Sequence, residues 1–242
     1  MPAILDSRFR GNDNDMQQKI LSVGGSIIIP KTGFNISFFK NFRALILRHV
    51  KKGSCFILVV GGGATCRKYQ EAARKVTELN DTDLDWLGIH STVFNAQFVR
   101  MLFKEHAYPE VLRDPRKKVK TNKPILVAAG FEPGHSTDTD AVLLAKTYGA
   151  KEIINLSNIA YVYDKDPRKF KSAKKIETLD WASFRRDIVG NRWDPGRNVP
   201  FDPTASRFAQ RFGLSVKFVK GTDLKEVEQA IFGRKFRGTT IG

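Results

Sequence analysis

From residue 19 onward, short apolar runs alternate with longer stretches in which apolar residues recur every three or four positions. The runs at 19–23, 55–60, 125–128, 152–156 and 215–219 are too short for helices, and glycines close the first two. They predict buried strands that end in loops. Between them, Phe38, Phe39, Phe42, Leu45, Ile46 and His49 fall at helical spacing, with Gly53 as a stop, and core burial is the expected fate of the phenylalanines. Further helices are predicted over 64–79, from about 84 to 105, on the face marked by Ala141, Leu144, Ala145 and Tyr148, and over 180–189, 203–212 and 224–232. Residues 161–163 read as part of a hairpin with Asp166-Pro167 in a turn, and 239–241 as a short closing strand.

Strands alternating with helices predict an α/β fold, a three-layer sandwich with a mainly parallel twisted sheet covered on both faces. Residues 17–242 read as one domain, with the longest irregular stretch at 185–203, which holds Gly190, Pro195, Gly196 and Pro200. Residues 1–16 lack a periodic apolar pattern and read as a disordered polar tail, with Met16 as an alternative start.

Composition narrows the partners. A chain of 242 residues that is 41% hydrophobic can bury a core without covalent staples. Its two cysteines, Cys55 and Cys66, have no His/Cys cluster around them, which predicts a reduced, cytoplasmic protein with no bound metal of its own. No segment reaches the roughly 18 apolar residues of a membrane span. The net charge of +16 calls for an anionic partner, be it nucleotide, nucleic acid or an acidic surface, with a solvated basic surface as the plainer reading. Basic clusters at 113–123, 165–175 and 234–237 do not by themselves choose among anions. Nucleic acid is disfavoured, because no RNP-like, helix-turn-helix or zinc-finger pattern accompanies the charge.

Chemistry is expected beyond the carboxyl ends of the strands, where such sheets bind ligands. Three glycine-bearing loops fall there: Gly24-Gly25-Ser26, Gly61-Gly62-Gly63 and the stretch from Gly130 to Gly134. Without a Cβ the backbone can approach a phosphate and aim successive N–H groups at it. A P-loop, a dinucleotide fingerprint and a nucleophile elbow are all absent.

Val59-Val60-Gly61-Gly62-Gly63 with Arg67-Lys68-Tyr69, and Pro133-Gly134-His135-Ser136-Thr137-Asp138, resemble motifs of the uridylate kinases in the amino acid kinase superfamily. So do the segment from Ser157 to Pro167, Asp202-Pro203-Thr204-Ala205 and the terminal Gly238-Thr239-Thr240-Ile241, while Gly24-Gly25-Ser26 is similar to the short Gly-Gly-Ser subgroup. The resemblance implies an amino acid kinase-like fold and transfer of a phosphoryl group from ATP to UMP, with Mg²⁺ carried by ATP, in pyrimidine nucleotide biosynthesis. It also implies a homohexamer. Carried over by position, Gly25, Ser26, Gly63 and Arg67 would meet the ATP phosphates, with Gly25, Gly63 and Arg67 at the transferred group. Ser157, Tyr163 and Asp166 would complete the ATP side. Gly62, Asp85, Pro133, Gly134, His135, Ser136, Thr137 and Asp138 would hold UMP.

Each position also has a plainer reading. Arg67 could pair with Glu71, Asp85 could be a helix N-terminal acid, the His135–Asp138 stretch could simply cap a helix, and Tyr163 could fill the core. Two positions depart from the family pattern: Ser22 stands where many members carry Lys, and Ala160 where the pattern Asn-x-Asp carries its carboxylate. Those departures keep open a catalytically impaired nucleotide-binding regulator of the same fold. Another member of the superfamily, acting on a carboxylate or carbamate, is disfavoured by the Gly-His-Ser-Thr-Asp stretch.

Overall fold

The computed structural model describes residues 18–190, 192 and 199–242; the expected tail at 1–16, with Pro195 and Gly196 of the irregular stretch, lies outside the described residues. The sheet is built from β1 (Lys19–Val23), β2 (Phe56–Val60), β3 (Ala107–Leu112), β4 (Ile125–Ala128) and β5 (Glu152–Ser157). A hairpin of β6 (Val162–Tyr163) and β7 (Lys175–Ile176) stands apart from it, and β8 (Thr178–Leu179), β9 (Ser215–Lys220) and β10 (Gly238–Ile241) complete it. The strand order is β3-β4-β2-β1-β5-β9-β10-β8. Every pairing in this sheet is parallel except β9 with β10, which is antiparallel.

The period-two alternation of the strands separates two cores. Leu21, Val23, Leu58, Val60, Val127 and Leu156 face one of them. There they meet α1 (Gly25–Ile28), α2 (Ile36–Val50), α4 (Asp81–Phe103) and α8 (Leu224–Ile231), with Phe38, Phe39 and Phe42 of α2 buried as expected. Ile20, Ile57, Val59, Leu126, Ile153 and Phe218 face the other core, against α5 (Thr137–Tyr148), α6 (Trp181–Phe184) and α7 (Pro203–Phe212). Helix α3 (Gly63–Val76) packs on α4, where Gln70 donates to the Leu84 carbonyl at 2.8 Å. Three layers result, as the alternating pattern predicts.

The helix starts follow local chemistry. Asn80 and Asp83 form a reciprocal capping box at α4, Ser136 caps α5 and Asp202 caps α7 ahead of Pro203. Gly149 and Gly213 end α5 and α7 in the left-handed conformation. Three elements depart from the periodicity reading. Strand β3 carries Pro109 and exposed Glu110, and it survives only as an edge strand with a register shift between Ala107 and Val111. Ile27 and Ile28, assigned to no element from the sequence, sit in the helical turn α1, where the Gly24 carbonyl accepts from the Ile27 N–H. The helix expected over 180–189 is α6 followed by a π-helical turn, Arg185–Val189.

Candidate functional site

The loops after β1 and β2, two neighbouring strands, touch backbone to backbone. A Cβ on Gly25 would lie 2.0 Å from the Gly63 nitrogen, and one on Gly63 would lie 2.3 Å from the Gly25 carbonyl oxygen. Gly63 also has φ +64°, so neither position accepts a side chain without backbone movement. The Gly61 N–H donates to the Val23 carbonyl and the Ala64 N–H to the Ile29 carbonyl, which locks the two loops together. Ser26 lies in the first turn beyond Gly25. Among the described residues the N–H groups of Gly62 and Gly63 have no hydrogen-bond acceptor, at the positive end of the fourteen-residue helix α3. Arg67, one turn into that helix, is exposed. Glu71 takes Lys75 at 2.8 Å, so the plainer Arg67–Glu71 pair does not form.

A cluster of acids lies across the sheet edge, at the start of α5. The Asp138 carboxylate accepts from the Ser22 hydroxyl and the Asn155 amide, both at 3.1 Å, which joins α5 to β1 and β5. Burial pushes its pKa up to about 7, and the charge of Asp202 adds to the rise against those hydrogen bonds. Asp202, 1% exposed, accepts from the Ser136 N–H and hydroxyl, the Thr139 hydroxyl and the Ala205 N–H. Thus Ser136 caps α5 and is itself anchored, while Thr137 opens the helix. Asp140 is 1% exposed and has no hydrogen-bond partner among the described residues. Burial drives its carboxyl well above the usual range, reinforced by the charges of Asp202, Glu132 and Asp138. This end of α5 is therefore acid-rich yet carries less negative charge at neutral pH than its composition implies.

The loop from Gly130 to Gly134 follows β4, the strand next to β2. The Gly134 N–H donates to Asp85 Oδ2 at 2.7 Å, so Asp85 is not merely a helix N-terminal acid. Pro133 precedes this contact. His135 engages the Ser136 carbonyl through Nδ1 at 3.1 Å, while its buried Nε2 stands 4.0 Å from a Glu132 oxygen, beyond hydrogen bonding.

On the other flank, Ser157 ends β5, where its carbonyl accepts from the Gly221 N–H and its hydroxyl from the Ile159 N–H. Tyr163 is half-buried in the β6–β7 hairpin and does not serve as core filling. Asp166 belongs to a turn in which the Arg168 N–H and guanidinium bind its carboxylate, holding it down at about 2. No hydrogen bond joins Tyr163 or Asp166 to the glycine loops among the described residues. The hairpin is tied instead to β10, where the Thr239 hydroxyl donates to the Ile176 carbonyl and accepts from the Val162 N–H.

Four polar residues at the site escaped the list of positions assigned from sequence: Asn95, Thr92, Asn155 and Asp202. Asn155 interrupts the buried strand β5, and Asn95 and Thr92 lie on the buried face of α4. A polar residue at a core position of a periodic pattern is the signal that marks them.

Known proteins resemble this chain over nearly its full length. A model of the amino acid kinase family matches residues 17–220. A protein named uridylate kinase from Methanocorpusculum labreanum is 31% identical over 229 residues, covering 94% of this chain and 96% of its own. One of the same name from Thermococcus kodakarensis is 34% identical over 224 residues, covering 92% and 98%. Among solved structures, uridylate kinase from Archaeoglobus fulgidus superimposes with a TM-score of 0.78 at 28% identity, covering 94% of this chain and all of that one.

Proposed function

The chain belongs to the amino acid kinase family, and from that premise we propose that it transfers the γ-phosphoryl group of ATP to UMP, giving UDP and ADP. The observation that carries this reading is the backbone contact of the Gly25 and Gly63 loops at the ends of adjacent strands, beside the exposed Arg67 and with N–H groups at Gly62 and Gly63 that have no acceptor among the described residues. Such a cradle suits a phosphoryl group passing between two anions.

The acceptor is a phosphate oxygen that is already ionised at neutral pH, so the reaction requires positioning and charge neutralisation rather than a general base. Gly62 meets the UMP phosphate; Gly25, Ser26 and Gly63 meet the ATP phosphates. Arg67 spans the two with its planar fork of donors. Mg²⁺ carried by ATP would supply charge neutralisation on the phosphates, beside the N–H groups and guanidinium that the chain itself provides. Asp85, Pro133, Gly134, His135, Ser136, Thr137 and Asp138 form the UMP side, and Ser157, Tyr163 and Asp166 the ATP side. Ala160 contributes no carboxylate, and the rise that burial imposes on the Asp138 carboxyl limits the repulsion that Asp202 and Asp138 together would impose on incoming phosphates.

Residues 17–242 act as one catalytic domain in this reading. No helix of the described residues is long and apolar enough to cross a membrane. A chain with two cysteines and no His/Cys cluster around them in sequence supports a reduced, cytoplasmic enzyme. Exposed Phe34, Phe94 and Met101, with Phe34 and Phe98 ring centroids 5.2 Å apart, support self-association, as a hexamer by the family resemblance.

The test is incubation with UMP, ATP and Mg²⁺ while UDP and ADP are followed together, with CMP and AMP as controls. UDP formed selectively from UMP is the expected result. Calorimetric binding of UMP or ATP without UDP would overturn transfer and leave a nucleotide-binding regulator.

A further inference from the structure

The long helix α4 touches both loops on the acceptor side of the site, through side chains on one of its faces. Asn95 is fully buried, and its Nδ2 donates to the carbonyls of Gly61 and Gly62, each at 2.9 Å. Three residues earlier, the buried Thr92 hydroxyl accepts from the Gly130 N–H at 2.8 Å and donates to the Ile89 carbonyl of its own helix. Asp85 receives the Gly134 N–H. Spacings of seven and three residues keep these groups on one face and set them about 10 and 15 Å along the axis from Asp85.

The geometry at Asn95 has a direct consequence for Gly62 and Gly63. In a trans peptide the C=O and the following N–H point in opposite directions. Drawing the Gly61 and Gly62 carbonyls down onto Asn95 therefore turns the N–H groups of Gly62 and Gly63 up and away from α4, and neither has an acceptor among the described residues. Asn95 does this while its own Oδ1 is buried and has no partner among the described residues. A side chain selected for stability alone would not leave that oxygen unpaired. Thr92 acts similarly on the neighbouring loop by fixing the first amide after β4, from which the chain runs to Gly134 and His135.

We propose that Asn95 and Thr92 are positioning residues that make α4 a ruler between the two loops. Asn95 sets the amides that meet the transferred phosphoryl group, and Thr92 sets the loop that holds the acceptor nucleotide. The proposal rests on the UMP kinase reading and assigns separate kinetic roles to two residues that touch neither nucleotide.

The experiment is steady-state kinetics with UMP and ATP varied independently, on wild type, Asn95→Leu, Thr92→Val and Thr92→Ser, with Tm measured for each. Leucine keeps the branched shape of Asn95, with bulkier methyl groups, and removes its donor, and the Tm reads any cost of the added bulk. Misplacing the amides at the reacting centre lowers kcat by about 30- to 100-fold with both KM values within about threefold. Thr92→Val raises KM for UMP by about tenfold and leaves KM for ATP in place, and Thr92→Ser, which keeps the hydroxyl, restores it. Asn95→Leu with unchanged kcat, or Thr92→Val raising both KM values alike in step with a fall in Tm, overturns the proposal and reduces both residues to ordinary core. Folded wild-type protein that forms no UDP is instead a failure of the kinase reading itself, and it removes the basis for the ruler.

Discussion

Replacing Asp138 by Asn tests the electrostatics of the acid cluster. The carboxylate is held between β1, β5 and α5 beside Asp202, and its pKa rises from an ordinary 3.8 to about 7. Below pH 3.8 it is protonated in both the folded and unfolded chain and costs nothing. Between about pH 4 and 7 the unfolded chain has released the proton and the native state retains it, so stability falls as pH rises and levels off above the folded pKa. A shift of about three units corresponds to about 4 kcal/mol. Asparagine keeps an oxygen that accepts from Ser22 and Asn155 and removes the charge. Hence Asp138→Asn is more stable than wild type by about 2–4 kcal/mol at pH 8, or about 5–15 °C in Tm for a domain of this size, and the gap closes to within about 1 kcal/mol near pH 4. Thermal unfolding of both proteins from pH 4 to 8 reads this directly, since groups common to the two cancel in the difference. A variant no more stable than wild type at pH 8, or equally stabilised at both ends of the range, would refute the reasoning. The same variant loses turnover if Asp138 meets the acceptor, so a stability gain with an activity loss identifies a group retained for chemistry.

Gly25→Ala places a methyl 2.0 Å from the Gly63 nitrogen, so the loops separate; the expectation is at least a 100-fold fall in kcat/KM, by the order of magnitude known for small displacements at a reacting centre, together with a lower Tm. Arg67→Ala removes an exposed cation without an ion pair among the described residues, so kcat falls by about 100- to 1,000-fold while Tm stays within about 1 °C; a large Tm change would mean a structural role instead. Thr239→Val breaks the tie between β10 and the β6–β7 hairpin and leaves the Val162 N–H buried without an acceptor, costing about 1–3 kcal/mol in thermal unfolding and raising KM for ATP more than KM for UMP.

Much of the architecture followed from pattern alone. Periodicity separates β1, β2, β4, β5 and β9 from the helices because buried parallel strands are short, continuous apolar runs and the helices carry a 3.6-residue repeat. Glycine after the strands marks the loops because few other residues allow such close approach. The resemblance of ordered motifs then names the residues of both nucleotide sides without any knowledge of distance. That Gly25 and Gly63 touch, and that Ser136 leans on Asp202 across 66 residues of chain, is invisible in one dimension.

The rest required the tertiary structure because it depends on which surfaces meet. Strand β3 exists despite Pro109 because only an edge position spares it a full ladder of hydrogen bonds. Asp138 reads in sequence as a nucleotide-binding or helix-capping position and Asp140 carries no signal there, and only packing shows both desolvated beside Asp202, where a carboxyl changes its protonation state. Asn95 and Thr92 read as polar interruptions of an apolar face. Their partners lie 30 to 40 residues away in sequence, in loops whose carbonyl and amide directions no residue pattern encodes. Sequence determined which atoms this protein brings to its cleft; the direction those atoms point was decided by the packing of α4 beneath two loops, since hydrogen-bond geometry depends on orientation and composition does not.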